Sequence, residues 1–292
     1  MGDGAQFRED VWAQAEASQA VALARLCTAF GALDERLRRA PDGWRHRLAL
    51  LEASHLSWRA GDRVAVDRLA LWAAARQGGA GTDTLALQRA DWARRRLSAG
   101  PGPADDLETF LGRPADGRRE PPPESDLHPV TVAARLHLQW LGDGALLETE
   151  ASVAAARHAA RAGGRGALFL PLAGGPGLVP HRPAPWYKAW IEAADAATHA
   201  ALAELERLEL WEEAAADAMS SMSGRTPRAL RRAFASWPML SVQVAASDTR
   251  ASRDAIRRNI EIMAALGLVR EITGQRRYRV WQAHLSGRAP HK

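Results

Sequence analysis

Apolar residues recur at helical spacing along most of this 292-residue chain, and strand-like alternation is confined to its last quarter. In residues 7–39, Trp12, Ala15, Gln19, Leu23, Leu26 and Phe30 lie near one face of a single long amphipathic helix, which Pro41-Asp42-Gly43 ends. Residues 44–59 read as a second helix. Val64, Val66, Leu69 and Trp72 mark a third apolar segment over 62–77, broken by the glycine-rich residues 78–81, and Thr82 or Thr84 caps a fourth helix through Leu97. Residues 98–124 gather Pro101, Pro103, Pro114 and Pro121-Pro122-Pro123 among glycines and charges. That composition predicts an exposed, partly mobile linker with one short helix over 105–111. Helices resume over 129–141 and 146–162, and residues 163–185 form a non-helical connector around the apolar Ala167-Leu-Phe-Leu170.

From Trp186 to Ser223 there is neither Gly nor Pro. Trp186, Trp190, Ala194, Ala197, Ala201, Leu205, Leu208, Trp211, Ala215 and Met219 trace one stripe on what reads as the longest helix of the protein. Its second half is acidic, with Glu204, Glu206, Glu209, Glu212 and Glu213. Such a stripe serves the core, a dimer contact or a link between two parts of the chain.

Beyond it the periodicity changes. Ser241 caps a short helix through Ala246, Asp248-Thr249-Arg250 makes a turn, and Ser252 caps a second helix to Leu266, which Gly267 stops. Residues 268–273 alternate into a Gly274-Gln275 turn, and residues 276–281 return with Tyr278, Val280 and Trp281 available for packing. This is the layout of a winged helix-turn-helix. Ile256, Ile260, Met263 and Leu266 form the buried stripe of its second helix, leaving Ser252, Arg253, Arg257 and Arg258 toward the N-terminal, outward face that a recognition helix presents to base edges. Arg276 and Arg277 sit at the wing tip, placed for a backbone or minor-groove contact.

Charge divides the chain in the same place. Residues 224–292 carry 14 Lys and Arg against 4 Asp and Glu, a net of +10, while the rest carries 25 against 30, a net of −5. A basic end on a mildly acidic body attracts phosphate and predicts binding that weakens steeply with salt. No apolar run approaches a membrane span and the first ten residues lack a signal-peptide core, so the expectation is a cytoplasmic protein with no membrane partner. Cys27 is the sole cysteine, which excludes an intramolecular disulfide framework and a thiolate zinc cluster.

Other chemistry is set aside on spacing. Gly142-Asp-Gly144 and Gly163-Gly-Arg-Gly166 lack the Lys-Ser/Thr ending or the strand and helix that a nucleotide loop needs. His46, His55 and Glu52 have no His-Glu-x-x-His arrangement, and His137 reads as a partly buried, hydrogen-bonded residue. Eleven tryptophans could line an effector pocket, but Trp44, Trp58, Trp72, Trp92 and Trp140 lie on apolar faces and read as core in a chain poor in Phe and Tyr.

Three blocks carry a likeness to known proteins. They are Leu50-Leu-Glu-Ala-Ser54 with Gly61-Asp-Arg-Val64 and Asp67-Arg-Leu69, then Trp186-Tyr-Lys-Ala-Trp190, and finally Leu266 to Gly274 leading into Arg276-Arg-Tyr-Arg-Val-Trp281. In these the chain resembles a family from rhizobia and other alphaproteobacteria, a region of unknown function followed by a helix-turn-helix DNA-binding domain. That family in turn looks like a degenerate relative of Fic proteins, helical enzymes that transfer AMP with a His-Pro-Phe loop running into Gly-Asn-Gly-Arg. His128-Pro129-Val130 matches the first two letters only, and no Asp-Gly-Asn-Gly-Arg follows. His128 therefore reads as the residue before a helix that Pro129 opens.

The expectation is a mainly α protein, with a Fic-like helical body and a C-terminal winged helix. Its parts are an N-terminal helical region 1–97, a linker 98–124, a body 125–223 and a DNA-binding domain 224–285. The winged-helix layout, the charge and the resemblance imply a transcriptional regulator that binds double-stranded DNA, without enzymatic activity, metal or cofactor, and the need to pair two half-sites predicts a homodimer. The rival is a protein-interaction module whose winged helix is structural.

Overall fold

The computed structural model describes residues 7–75, 83–100, 102–103, 106–114, 125–142, 144, 146–173, 183–274 and 279–285. Over these residues the chain is mainly helical. In order come α1 (Glu9–Ser18), α2 (Ala20–Arg39), α3 (Asp42–Arg59), α4 (Val66–Ala75), α5 (Thr84–Ser98), α6 (Leu107–Leu111), α7 (Pro129–Gly142), α8 (Glu148–Ala159), α9 (Pro183–Ala218) and α10 (Arg225–Ser236). The strand β1 (Leu240–Ser241), the helices α11 (Val242–Thr249) and α12 (Arg253–Ala265), and the strands β2 (Val269–Glu271) and β3 (Val280–Ala283) complete the fold. None of the described helices is long and apolar enough to cross a membrane.

Several sequence-based boundaries shift, each for a local reason. The single helix expected over 7–39 is broken at Gln19, whose N–H bonds back to Glu16 and Ala17 instead of continuing the ladder. Gln19 is thus a half-buried joint between α1 and α2, not part of a continuous apolar face. The cap of α5 is neither threonine but Asp83, whose carboxylate accepts from the N–H groups of Leu85 and Ala86 at 2.9 and 3.2 Å. α9 starts before Trp186, at Pro183, because prolines fit a first turn whose N–H groups have no helical acceptor. Part of the expected linker is packed: Phe110 is fully buried edge-on to Trp92, and Trp92 Nε1 donates to the Leu111 carbonyl at 3.2 Å. Residues 115–124 lie outside the described ones.

The core forms around α9, which at 36 residues is about 54 Å long at 1.5 Å per residue. Its first half meets α7. Trp186 Nε1 donates to the Ala134 carbonyl at 2.9 Å, Trp190 Nε1 to His137 Nδ1 at 3.1 Å, and Tyr187 Oη pairs with Thr131 Oγ1 at 2.7 Å. His137, expected to be partly buried, is fully enclosed, and Ser152 Oγ lies 3.3 Å from its Nε2. Every residue of the α9 stripe from Trp186 to Met219 is buried within the chain, as are Trp12, Leu23, Leu26 and Phe30 of α1 and α2. The α9 stripe is therefore consumed by the intrachain core and is not free to serve as a dimer contact. Among the tryptophans read as core, Trp44 and Trp140 are buried and Trp72 and Trp92 half-buried, but Trp58 is 53% exposed.

The connector 163–173 explains the glycine-rich motif. Asp34 Oδ1, on α2, accepts from the N–H groups of Gly166 and Ala167 at 2.9 and 2.8 Å, and a Cβ at Gly166 would overlap the Asp34 carbonyl oxygen. Backbone meets backbone there, which only glycine permits. Farther along, Glu52 Oε1 accepts from Leu172 and Ala173 N–H at 2.8 and 2.9 Å, so this carboxyl anchors a loop and does not join His55 in a metal site.

Candidate nucleic-acid interface

The C-terminal unit runs α10, β1, α11, α12, β2, β3, with an antiparallel sheet in the order β1-β3-β2. Leu240 pairs with Trp281 and Ser241 with Val280, while Val269, Arg270 and Glu271 pair with Ala283, Gln282 and Trp281. Neither α10 nor β1 emerges from the sequence pattern. α10 buries Leu230, Ala233 and Phe234 at helical spacing, but four arginines among its twelve residues mask that stripe, and a two-residue strand is too short to show alternation.

Serine hydroxyls fix both helices of the pair. Ser241 Oγ accepts from Val244 N–H and Ser252 Oγ from Ala255 N–H, each at 3.2 Å, as the sequence predicts. α11 runs three residues beyond Ala246, to Thr249, whose Oγ1 donates to the Ala245 carbonyl. The turn then reduces to Arg250, in the left-handed region at φ 54°, and Ala251. On α12, Ile256, Ile260 and Met263 are buried against α10, α11 and β2. Leu266, expected as the fourth buried residue, is 39% exposed, because α12 ends at Ala265, Gly267 turns the chain at φ 71°, and Leu268 takes the inner position.

Ser252, Arg253, Arg257 and Arg258 are all exposed on the first turns of α12. Arg257 Nη1 lies 3.3 Å from Asp254 Oδ1, an exposed pair that holds the guanidinium weakly. Arg250, exposed in the turn just before α12, adds a positive charge that the sequence reading passed over as a turn residue. Arg276 and Arg277, expected from the sequence at a wing tip, lie outside the described residues, as does Tyr278. At the end of β2, Glu271 Oε1 accepts from the N–H and the hydroxyl of Thr273. Those bonds, the hydroxyl's foremost, hold the Glu271 carboxyl below its ordinary range. Arg279 bridges the two strands, 3.4 Å from Glu271 Oε2, with its guanidinium 5.2 Å from the centre of the buried Trp281 ring.

The unit is tied to the helical body. Arg47 of α3 is buried, pairs with Glu204 Oε1 of α9 at 2.8 Å and donates to the carbonyls of Phe234 and Trp237 at 3.3 and 3.0 Å. His46 meets the Trp237 ring edge-on at 4.5 Å; burial, aided by Arg94, lowers its pKa to about 4 and keeps it neutral. It is a packing residue here.

One other cluster invites a chemical reading. Cys27 Sγ lies 3.6 Å from His128 Nε2 in a hollow of about 620 Å³. His128 Nδ1, however, accepts from Val130 N–H at 3.2 Å at the start of α7, which leaves the ring proton on Nε2, pointed at the sulfur. Such a ring cannot take the thiol proton, and burial pushes the Cys27 pKa up, so the pair is not an activated nucleophile. No group of three or more His, Cys, Asp and Glu side chains among the described residues is arranged to hold a metal.

No protein-family model matches the chain, and no curated protein matches it either.

Proposed function

We propose that residues 224–285 form a winged helix-turn-helix that binds double-stranded DNA, and that the chain is a cytoplasmic transcriptional regulator. The observation that carries this reading is the outer face of α12. Ser252, Arg253, Arg257 and Arg258 are exposed together on a helix whose other face is fixed by Ile256, Ile260 and Met263. On this reading α12 enters the major groove, its arginines contact guanine edges and flanking phosphates, and Arg276 and Arg277 of the wing touch backbone or minor groove. The Ser252 hydroxyl, accepting within the cap, keeps its own proton to donate to a phosphate. The element order and the sheet order are those such a domain requires. The likeness to helix-turn-helix proteins with a degenerate Fic-like body belongs to the same proposal, with the body positioning the reader and carrying no catalysis.

Specificity calls for two half-sites and hence a second copy of the chain. Since the α9 stripe and the inner faces of α1 and α2 are buried, that pairing uses another surface. The rival reading, a protein-interaction module, is favoured by one observation: Ile262 on α12 and Leu266 just past its end are exposed, beyond Arg258. Selection of genomic fragments by the purified chain, repeated with Arg253→Ala/Arg257→Ala, separates the two. A DNA reader enriches a shared sequence and the variant does not, whereas an interaction module enriches none.

A further inference from the structure

Arg225, Arg228 and Arg232 fall on one face of α10 at spacings of three and four, with Arg231 beside them and Pro227, Leu230, Ala233 and Phe234 buried behind. None of the four forms an ion pair among the described residues. They face the end of α9 across a hollow of about 360 Å³ lined by Arg228, Arg231 and Arg232 with Met219, Ser220 and Met222. Arg228 and Arg232 also line a second hollow of about 670 Å³ at the start of α10, which Arg225 and Ser223 complete.

Two features set this apart from an ordinary solvated face. The Arg231 Nε–H is buried and has no hydrogen-bond acceptor among the described residues, and a buried donor without a partner carries a desolvation cost that an anion would remove. The positive charge is also poorly opposed. Glu212 of α9 is the carboxylate that feels Arg231 and Arg232, and it is itself partly buried. Guanidinium forks and serine hydroxyls together supply donors arranged for a multidentate oxyanion.

We infer that the hollow between the end of α9 and the arginine face of α10 is an anion site that takes a phosphate group, held by Arg228, Arg231 and Arg232 with Arg225 at its mouth. The residues are distinct from those of α12, so the site stands whether or not α12 reads DNA. The phosphate has two possible sources, a DNA backbone and a free phosphorylated compound.

Calorimetric titration of the full chain with inorganic pyrophosphate tests this, using Arg228→Ala/Arg232→Ala, whose positions are exposed and helix-compatible, and Arg231→Lys as a second variant. The wild type binds, both variants bind at least tenfold more weakly with unchanged far-UV circular dichroism, and Arg253→Ala/Arg257→Ala binds like the wild type. A parallel salt titration on a random duplex identifies the source. A backbone phosphate makes the double variant lose roughly two units of the log K against log salt slope, at about 0.9 per contact, whereas a free compound leaves the slope unchanged. If neither the pyrophosphate isotherm nor the duplex slope differs between wild type and variants, the site does not exist.

Discussion

Trp211, on the long helix α9, donates its indole N–H to the main-chain carbonyl of Leu268 at 2.7 Å. Leu268 follows the glycine that ends α12, so this bond references the orientation of α12 to the core of the body. The same carbonyl also accepts from His284 N–H at 2.9 Å, which joins the residue after β3 to the joint. Arg47 repeats the connection from α3 through the Trp237 carbonyl.

Trp211→Phe is therefore expected to lower stability by about 1 to 3 kcal/mol, from one lost hydrogen bond and a partly refilled space, without unpairing the Leu268 carbonyl completely. Chemical denaturation followed by circular dichroism measures it. A change below about 0.5 kcal/mol would mean that the joint does not hold the unit in place.

Gly166→Ala is expected to destabilise the chain by more than about 1 kcal/mol, because the added methyl meets the Asp34 carbonyl oxygen and α2 cannot move away without losing its buried contacts. Asp34→Ala should act in the same direction, leaving the N–H groups of Gly166 and Ala167 without their acceptor. Thermal denaturation of both variants is the check; wild-type melting of Gly166→Ala would contradict the close approach.

Burial, its largest cause, raises the Glu52 carboxyl from its ordinary 4.5 to about 7, against the two N–H bonds that favour the charge. Between those pH values the folded chain keeps a proton that the unfolded chain has released. Its contribution to stability therefore falls as pH rises through this window and is lost above about 7. Glu52→Gln retains an acceptor for Leu172 and Ala173 and removes the titration. The variant should gain on the wild type between pH 4.5 and pH 8, by up to roughly 3 kcal/mol. A constant difference across that range would show that Glu52 does not titrate there.

How much of this was legible in the sequence depends on whether a residue's role is local. The α9 stripe, the Ser241 and Ser252 caps and the inward set Ile256, Ile260 and Met263 follow from spacing and cap chemistry alone, and all appear in the structure. Roles set by distant partners were invisible. Nothing near Glu52 announces that its carboxyl receives a loop 120 residues away, and nothing near Gly166 announces α2. α10 does not stand out in the sequence because four arginines interleave its buried residues, and Gln19 reads as a face residue because a joint between two helices leaves the periodicity almost intact. The candidate interface was readable on α12, where the charges adjoin the cap, and not at Arg250, whose exposure depends on the turn conformation.

Asp254 shares the first turn of α12 with Arg253 and draws on Arg257 at 3.3 Å. A carboxylate beside a phosphate backbone repels it, so Asp254→Asn should strengthen duplex binding severalfold at low salt, on preferred and random sequences alike. Fluorescence anisotropy reads the change. Weaker binding by this variant would place Asp254 itself on a base, or α12 away from the DNA.

Whether the exposed arginines of α12 read duplex DNA, as proposed, is measured most directly by the affinity of the full chain for duplexes selected from genomic fragments, against random duplex, for wild type and Arg253→Ala/Arg257→Ala. The wild type should prefer the selected duplex, and its affinity should fall linearly in log salt. The double variant should lose about 1 to 3 kcal/mol per base contact on the selected duplex while keeping its helical content. Equal affinities of wild type and variant on selected and random duplex, at every salt concentration, would contradict the account.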